Sequence, residues 1–408
     1  MKKFLLFLLA ASMLLSLAAC SGGSDGGSTA TPPANSGDTG NPATPDPIPP
    51  VDAEGGTFKI GGTGPLTGGA AIYGQAARNG AQIAVDELNA LVGATLFELN
   101  YQDDEHDAEK AVNAYNTLKD WGMQISLGSV TSTPGVATSV ENFADRIFAI
   151  TPSGSAVSVT EGKDNVFQMC FADPNQGTAS AQYIVDQALG TKIAVIYKND
   201  DVYSTGIYDT FKSKAAELGL EIVSTTTFTE DSQQDFSVQL TDAKDKGADL
   251  IFLPMYYTPA SLIFQQAKSM DYSPKYFGVD GMDGILTLEG FDASLAEGVM
   301  LLTPFNADSS DANTVSFVDK YKAAHGDVPN QFAADGYDCV YAIYEAIQKG
   351  GATADMSVSQ INDILVAQFT SMSFNGLTGE NMTWAANGQV SKAPKGMVIE
   401  NGAYLGMD

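Results

Sequence analysis

The chain has 408 residues, a formal charge of −28 carried by 49 acidic and 21 basic side chains, two histidines and three cysteines. So acidic a chain has no basic footprint for nucleic acid or for an anionic membrane surface. Three cysteines are too few for a disulfide framework, and the length allows two domains of ordinary size.

The first twenty residues, MKKFLLFLLAASMLLSLAAC, place Lys2 and Lys3 ahead of an apolar run and small residues ahead of Cys20. The run is too short to span a bilayer and has the layout of an export signal, expected over residues 1–19. Leu17, Ala18, Ala19 and Cys20 resemble the lipobox of bacterial lipoproteins, which implies acylation of the Cys20 thiol. The competing reading, an ordinary cleaved signal, leaves a cysteine at the cleavage position without a reason. Either way the chain works outside the cytoplasm, away from nucleotide cofactors.

Residues 20–56 are rich in Ser, Gly, Thr, Pro and Asp and hold almost no large apolar side chain, so they read as a tether. From Thr57 the pattern alternates. Strands are expected at 58–64, 96–102, 123–129, 146–152, 192–198, 221–228, 249–255, 275–280 and 298–304. Helical spacing lies between them, as in Ala77, Ala81, Ala84, Val85, Leu88 and Leu91 on one helix face. This alternation predicts α/β architecture with mainly parallel sheets. The segment 166–197 reads as a break and a restart, giving two lobes. Two further helices, at 313–324 and 332–349, precede a Gly-rich stretch and a hairpin signal running to Leu405. Returning to helices and then to a hairpin suggests repeated passage between lobes, a hinge of several strands.

Enzyme motifs fail in detail. GGTGPLTGG (61–69) has neither the GK[ST] ending nor the GxGxxG spacing of a phosphate loop, and reads as a loop bringing N–H groups to a cleft. His106 and His325 have no cysteine or second histidine at ligand spacing and read as surface residues, so no metal site is expected. Asp103, Asp104, Glu105 and Asp107, like Asp200 and Asp201, lack calcium-loop spacing and read as solvated acids. No GxSxG elbow occurs. Cys170 and Cys339 sit in apolar contexts and read as buried free thiols, with one long-range disulfide as the lesser alternative. No catalytic residue and no cofactor are expected.

Three expected strand ends gather hydroxyls and one carboxylate: GSVTSTPG (128–135), ITPSGSA (150–156) and YFGVDGMDG (276–284). Each is also a natural helix N-cap. Together, on an exported chain without a catalytic set, they favour a small-molecule cleft outside the carboxyl ends of the strands.

PLTGGAAIYGQAARNGAQIAVDELN (65–89), GSVTSTPGVAT, ITPSGSA, IYKNDDVYSTG (196–206) and FAADGYDCVYAIYEAI (332–347) follow the order seen in the periplasmic binding protein type 1 family. Over residues 57–405 the chain resembles most its leucine/isoleucine/valine-binding components of ABC importers. The resemblance implies two Rossmann-like lobes, 57–172 with 304–378 and 173–303 with 379–408, joined by a three-crossing hinge and closing over an amino acid. It implies that Ser132 holds the ligand carboxylate, that the Ser153 carbonyl faces the ammonium, and that Ser155 contacts both charged groups. Tyr73 and Tyr203 would line the cleft, Tyr256 would close over the ligand, and Asp280 would pair with the ammonium. A zwitterion in a dry cleft needs partners at both ends, which hydroxyls, N–H groups and one acid supply.

Serines at 153 and 155, where that group carries alanine and threonine, imply a more polar floor. They leave a small polar amino acid, an amide or a compact organic acid open as ligand. The resemblance further implies a monomer, held to the membrane through Cys20, that delivers its ligand to permease subunits. The alternatives are a ligand-sensing subunit of a membrane receptor and a secreted hydrolase.

Overall fold

Two mainly parallel sheets flanked by helices divide the chain between two lobes. The computed structural model describes residues 55–407, so the export signal, Cys20 and most of the tether lie outside the described residues. The first lobe runs β1 (Phe58–Gly64), α1 (Ala71–Val92), β2 (Phe97–Asp103), α2 (Ala108–Trp121), β3 (Ile125–Ser129), α3 (Ser132–Asp145), β4 (Phe148–Thr151), α4 (Val157–Thr160) and β5 (Val166–Gln168). Its strands lie in the order β2-β1-β3-β4-β5, all parallel. Asp107 caps α2 by accepting the Lys110 N–H, and glycines 93 and 122 end α1 and α2 in the left-handed conformation.

The second lobe runs α5 (Asp173–Asp186), β6 (Lys192–Lys198), α6 (Val202–Leu218), β7 (Glu221–Phe228), α7 (Ser237–Asp245), β8 (Leu250–Leu253), α8 (Tyr257–Ser269), β9 (Lys275–Gly278) and β10 (Met300–Thr303). After β10 come α9 (Ala312–His325), α10 (Gln331–Gly350) and α11 (Val358–Phe369), then β11 (Lys395–Glu400) and β12 (Ala403–Gly406). The second sheet has the order β12-β11-β10-β9-β8-β6-β7, with β11 and β12 joining antiparallel as the hairpin expected at the C-terminus.

In each sheet the strand order reverses once, between β1 and β3 and between β6 and β8. A crevice opens at such a switch point, outside the carboxyl ends of the strands. The two crevices face each other.

The chain passes between lobes three times. It first crosses from β5 to α5 through 169–172, and then returns after β10 to α10, whose Val340, Ile343, Tyr344 and Ile347 enter the first-lobe core. The third crossing departs from expectation. Residues 379–390, assigned from the sequence to the second lobe, pack on the first: Met382, Trp384 and Val390 join its core, and Trp384 Nε1 donates to the Gln168 carbonyl at 2.8 Å. The backbone agrees, since the Gln168 N–H donates to the Gly388 carbonyl at 2.9 Å. The indole has too much apolar surface to leave that core, so the crossing falls after Val390 instead of at 378/379.

At this crossing Lys392 is buried and pairs with Asp335 of α10 at 2.9 Å. Asp338, one turn on, accepts the Leu377 and Thr378 N–H groups at 2.8 and 2.9 Å. The second and third crossings are thus joined by a dry polar knot.

Candidate ligand site

Tyr73, Val130, Thr131, Ser153, Tyr203, Tyr256, Asp280, Gly281 and Phe332 surround a cavity between the lobes. Each switch point supplies part of the wall. From the first lobe come Tyr73 in the first turn of α1, Val130 and Thr131 after β3, and Ser153 after β4. From the second come Tyr203 in the first turn of α6, Tyr256 after β8, and Asp280 after β9.

Five of the seven residues expected to bind ligand therefore meet: Tyr73, Ser153, Tyr203, Tyr256 and Asp280. Ser132 and Ser155 are buried beside them but do not line the cavity. The Ser132 hydroxyl accepts the Ala156 N–H at 3.1 Å, tying the start of α3 to the loop that carries Ser153. Ser155 is turned inward, toward Asp173 at the start of α5, whose N–H donates to the Ser155 carbonyl at 3.0 Å.

The aromatic wall is ordered by ring contacts. Tyr203 and Tyr256 stack with centroids 4.8 Å apart and planes 3° from parallel, while Tyr73 packs on Tyr256, Tyr257 and Phe332 at 5.4, 4.9 and 4.5 Å. Asp280 is fixed from several sides: its carboxylate accepts the Tyr203 hydroxyl at 2.5 Å, and its N–H donates to Gln176 Oε1 at 3.1 Å. Burial pushes its carboxyl up to about 6, against the pull of the Tyr203 hydroxyl. A buried acid with one hydroxyl partner is short of positive charge, which an ammonium would supply. Asp280 also opens a tight turn, so its expected roles as turn former and as site acid coexist.

The lobes touch. Tyr73 donates to the Gly281 carbonyl at 2.6 Å and accepts the Tyr257 N–H at 3.1 Å; Thr258 Oγ1 donates to the Gly69 carbonyl at 2.6 Å. Thr133 Oγ1 donates to Asp201 at 3.1 Å. The space left is about 10 Å³, room for about one water. Admitting an amino acid requires the lobes to part, which three parallel crossings permit as a hinge.

Several side chains fall in places the sequence did not indicate. His106, expected at the surface, lies half-buried at the cleft mouth, with Nδ1 2.8 Å from Thr131 Oγ1 and its ring edge-on to Tyr256 at 5.2 Å. Burial pushes its pKa down, opposed by Asp201. Asp104 and Asp201, expected to be solvated, are buried: Asp201 caps α6, and burial raises the Asp104 carboxyl to about 7. In the 61–69 loop the Leu66 N–H goes to Asp103 at 2.8 Å instead of to the cleft. These positions depend on which strand ends converge, and no local spacing encodes that. Phe332 had a weak signal, as the apolar residue after the Asn330 cap of α10. Cys170 and Cys339 are both buried and unpaired.

Two lobes hinged over a cleft lined by tyrosines and one buried acid define a solute-binding protein. The chain belongs to the periplasmic binding protein family, whose sequence profile matches residues 57–403. It is 26% identical over 309 residues to the leucine-, isoleucine-, valine-, threonine- and alanine-binding protein of Pseudomonas aeruginosa, covering 74% of this chain and 81% of that one. A Leu/Ile/Val-binding protein of Rhizobium johnstonii is 28% identical over 302 residues, 72% of this chain and 80% of its own. Among solved structures, the branched-chain amino acid transporter substrate-binding protein of Streptococcus pneumoniae, in complex with isoleucine, superposes with a TM-score of 0.77. Its identity is 27%, over 86% of this chain and 98% of that one.

Proposed function

We propose that this protein captures a small amino acid, branched-chain or related, outside the cytoplasm and delivers it to the permease of an ABC importer, with no catalytic step of its own. The observation that carries this reading is the placement of Asp280, Tyr203, Tyr256, Tyr73 and Ser153 around one cavity at both switch points. Asp280 and the Ser153 carbonyl take the ammonium. The Thr131 hydroxyl and N–H groups at the start of α3 take the carboxylate, with Ser132 acting through the loop it holds. The relatives' ligands support the amino-acid class, and the serine at 153 in the cavity wall supports a small or polar member of it.

Opening exposes the two half-sites, and contacts from both lobes to one ligand favour closure. The closed form docks as a monomer. Cys20 carries the lipid anchor, and a flexible tether of this length reaches on the order of 30 Å as a coil. The anchor therefore raises the local concentration of loaded protein at the permease without touching the site.

A thermal-shift series of the signal-free protein against the common amino acids and small organic acids tests the reading. A ligand at a hundred times its Kd adds about 2.7 kcal/mol of stability. If no amino acid shifts the melting temperature, the proposal fails.

A further inference from the structure

His106 reaches the cleft on a backbone that few side chains adopt. Glu105 and His106 both stand in the left-handed region, at φ 50° and 60°, and two carboxylates hold them there: Asp103 Oδ1 accepts the Glu105 N–H and Asp104 Oδ1 the His106 N–H, each at 3.0 Å. Strain of this kind persists where the surroundings impose it. Its effect is to lay the imidazole against two residues of the cavity wall, edge-on to Tyr256 of the second lobe and with Nδ1 2.8 Å from Thr131 Oγ1 of the first.

Thr131 is the N-cap residue of α3, yet its hydroxyl makes no capping bond. A threonine there ordinarily spends its oxygen on the first N–H groups of the helix. This one is buried, lines the cavity and hydrogen-bonds His106 instead. A hydroxyl has one proton and two lone pairs. If Nδ1 accepts, the proton is spent on the ring, and only lone pairs face a ligand carboxylate, which repels them. If Nδ1 donates, the proton is left for the cavity.

We propose that His106 is a positioning residue for the ligand carboxylate: its Nδ1–H donates to Thr131 Oγ1, so that the Thr131 proton is left to donate to the carboxylate. This rests on the amino-acid reading above and adds to it a residue that acts through Thr131 without touching the ligand.

The ring that does this is neutral, with its proton on Nδ1. Asp104 and Asp107 flank it in the chain, and Asp201, Lys198 and Glu230 face it from the second lobe, with Lys198 paired to Glu230. Burial outweighs the pull of the acids and pushes its pKa down. Opening the lobes withdraws Tyr256 and the second-lobe charges and returns the ring toward its ordinary value of about 6.5. The closed form therefore sheds a proton that the open form holds at low pH, and affinity falls as pH drops through the histidine range.

Calorimetry on the mature protein with L-leucine and L-alanine tests this through His106→Asn, His106→Phe and Thr131→Val. His106→Asn keeps an N–H donor near the Nδ1 position, does not titrate and suits the left-handed backbone, whereas His106→Phe keeps a ring on Tyr256 without a donor. At pH 7.5 His106→Phe is expected to bind at least about tenfold more weakly than the unsubstituted protein, and His106→Asn to stay within about threefold of it. Beside Thr131→Val, which itself weakens binding, His106→Phe should cost less than about twofold, because the hydroxyl it positions is gone. Between pH 7.5 and 5.5 the unsubstituted protein should lose at least about threefold more affinity than His106→Asn. Asp280 and Asp283 titrate in both proteins and drop out of that ratio. If His106→Phe does not fold, His106→Gly removes the donor at a left-handed position and is read in the same way. Undiminished binding by His106→Phe or by Thr131→Val, a loss from His106→Phe that persists in full beside Thr131→Val, His106→Asn as weak as His106→Phe, or a ratio that does not move with pH would each overturn the assignment and leave amino-acid capture standing. No binding of either amino acid by the unsubstituted protein would overturn the reading on which it rests.

Discussion

Tyr73 donates its hydroxyl to the Gly281 carbonyl across the cleft at 2.6 Å, and the same oxygen accepts the Tyr257 N–H at 3.1 Å. One phenol on the first lobe thus satisfies two backbone groups on the second. Its ring meanwhile packs on Tyr256, Tyr257 and Phe332. The residue is both wall and latch, and burial pushes its pKa up.

Tyr73→Phe keeps the ring and removes the latch. Leaving two buried backbone groups short of a partner costs about 1–3 kcal/mol, charged entirely to the closed form. Binding of the amino acid selected by thermal shift is expected to weaken roughly 5- to 100-fold, at about 1.4 kcal/mol per factor of ten. Calorimetry gives the affinity, and small-angle scattering should show a larger radius of gyration. Unchanged affinity would mean that the latch forms after ligand contact and adds nothing to it.

Asp283 provides a pH test. It is buried, with Oδ2 accepting the Gln331 N–H at 2.9 Å, and burial raises its carboxyl to about 6. The unfolded value lies near 3.8, so between these limits the folded protein holds the extra proton. Its stability therefore falls as pH rises through that window. Asp283→Asn retains the acceptor and removes the charge. Relative to the unsubstituted protein, the variant should gain melting temperature steadily from pH 4 to 7 and then level off. A pH-independent difference would show that Asp283 does not titrate in this range.

Much of the fold was legible because parallel strands buried on both faces are short apolar runs, and KIAVIYK or DLIFLPM have no other reading between helices. β5 was hidden in the segment read as a break, since three residues carry no period. α11 was passed over because the Gly-rich stretch beyond it dominated the reading of that region. The third crossing was misplaced because residues 374–390 make only isolated bridges, and scattered apolar side chains, Met382, Trp384 and Val390, decide which lobe they join. At the site, Asp280 could be found because it follows a strand end, and Tyr73, Tyr203 and Tyr256 because the resemblance to the family carries their positions over. Ser132 could not be resolved from its loop, since the sequence does not say whether its hydroxyl faces the cleft or the Ala156 N–H.

Lys392→Met tests the knot between the second and third crossings. Asp335 is raised by burial even with Lys392 beside it, and the substitution leaves it buried without its cation. Removing one member of a buried pair costs about 3–5 kcal/mol. The double variant Lys392→Met/Asp335→Asn should recover more than half of that loss in urea unfolding. Additive losses would show that the two side chains contribute independently.

Gly80→Ala probes how the site is held from behind. α1 and α10 approach so closely that a Cβ at Gly80 would stand 1.8 Å from the Ala333 carbonyl oxygen, and one at Gly336 would stand 2.2 Å from that of Ala77. Both obstacles are backbone, which cannot swing aside as a side chain does, so a methyl at either place must push the helices apart. α1 carries Tyr73 two turns before Gly80, and α10 carries Phe332 one turn before Gly336. Separating the helices therefore pulls apart two rings whose centroids are 4.5 Å apart in the cavity wall. The expected result is a stability loss of about 3 kcal/mol or more, together with a loss of amino-acid binding larger than that of Tyr73→Phe. Gly336→Ala should behave the same way. A variant that melts normally and binds normally would show that the contact between α1 and α10 does not set the position of Tyr73.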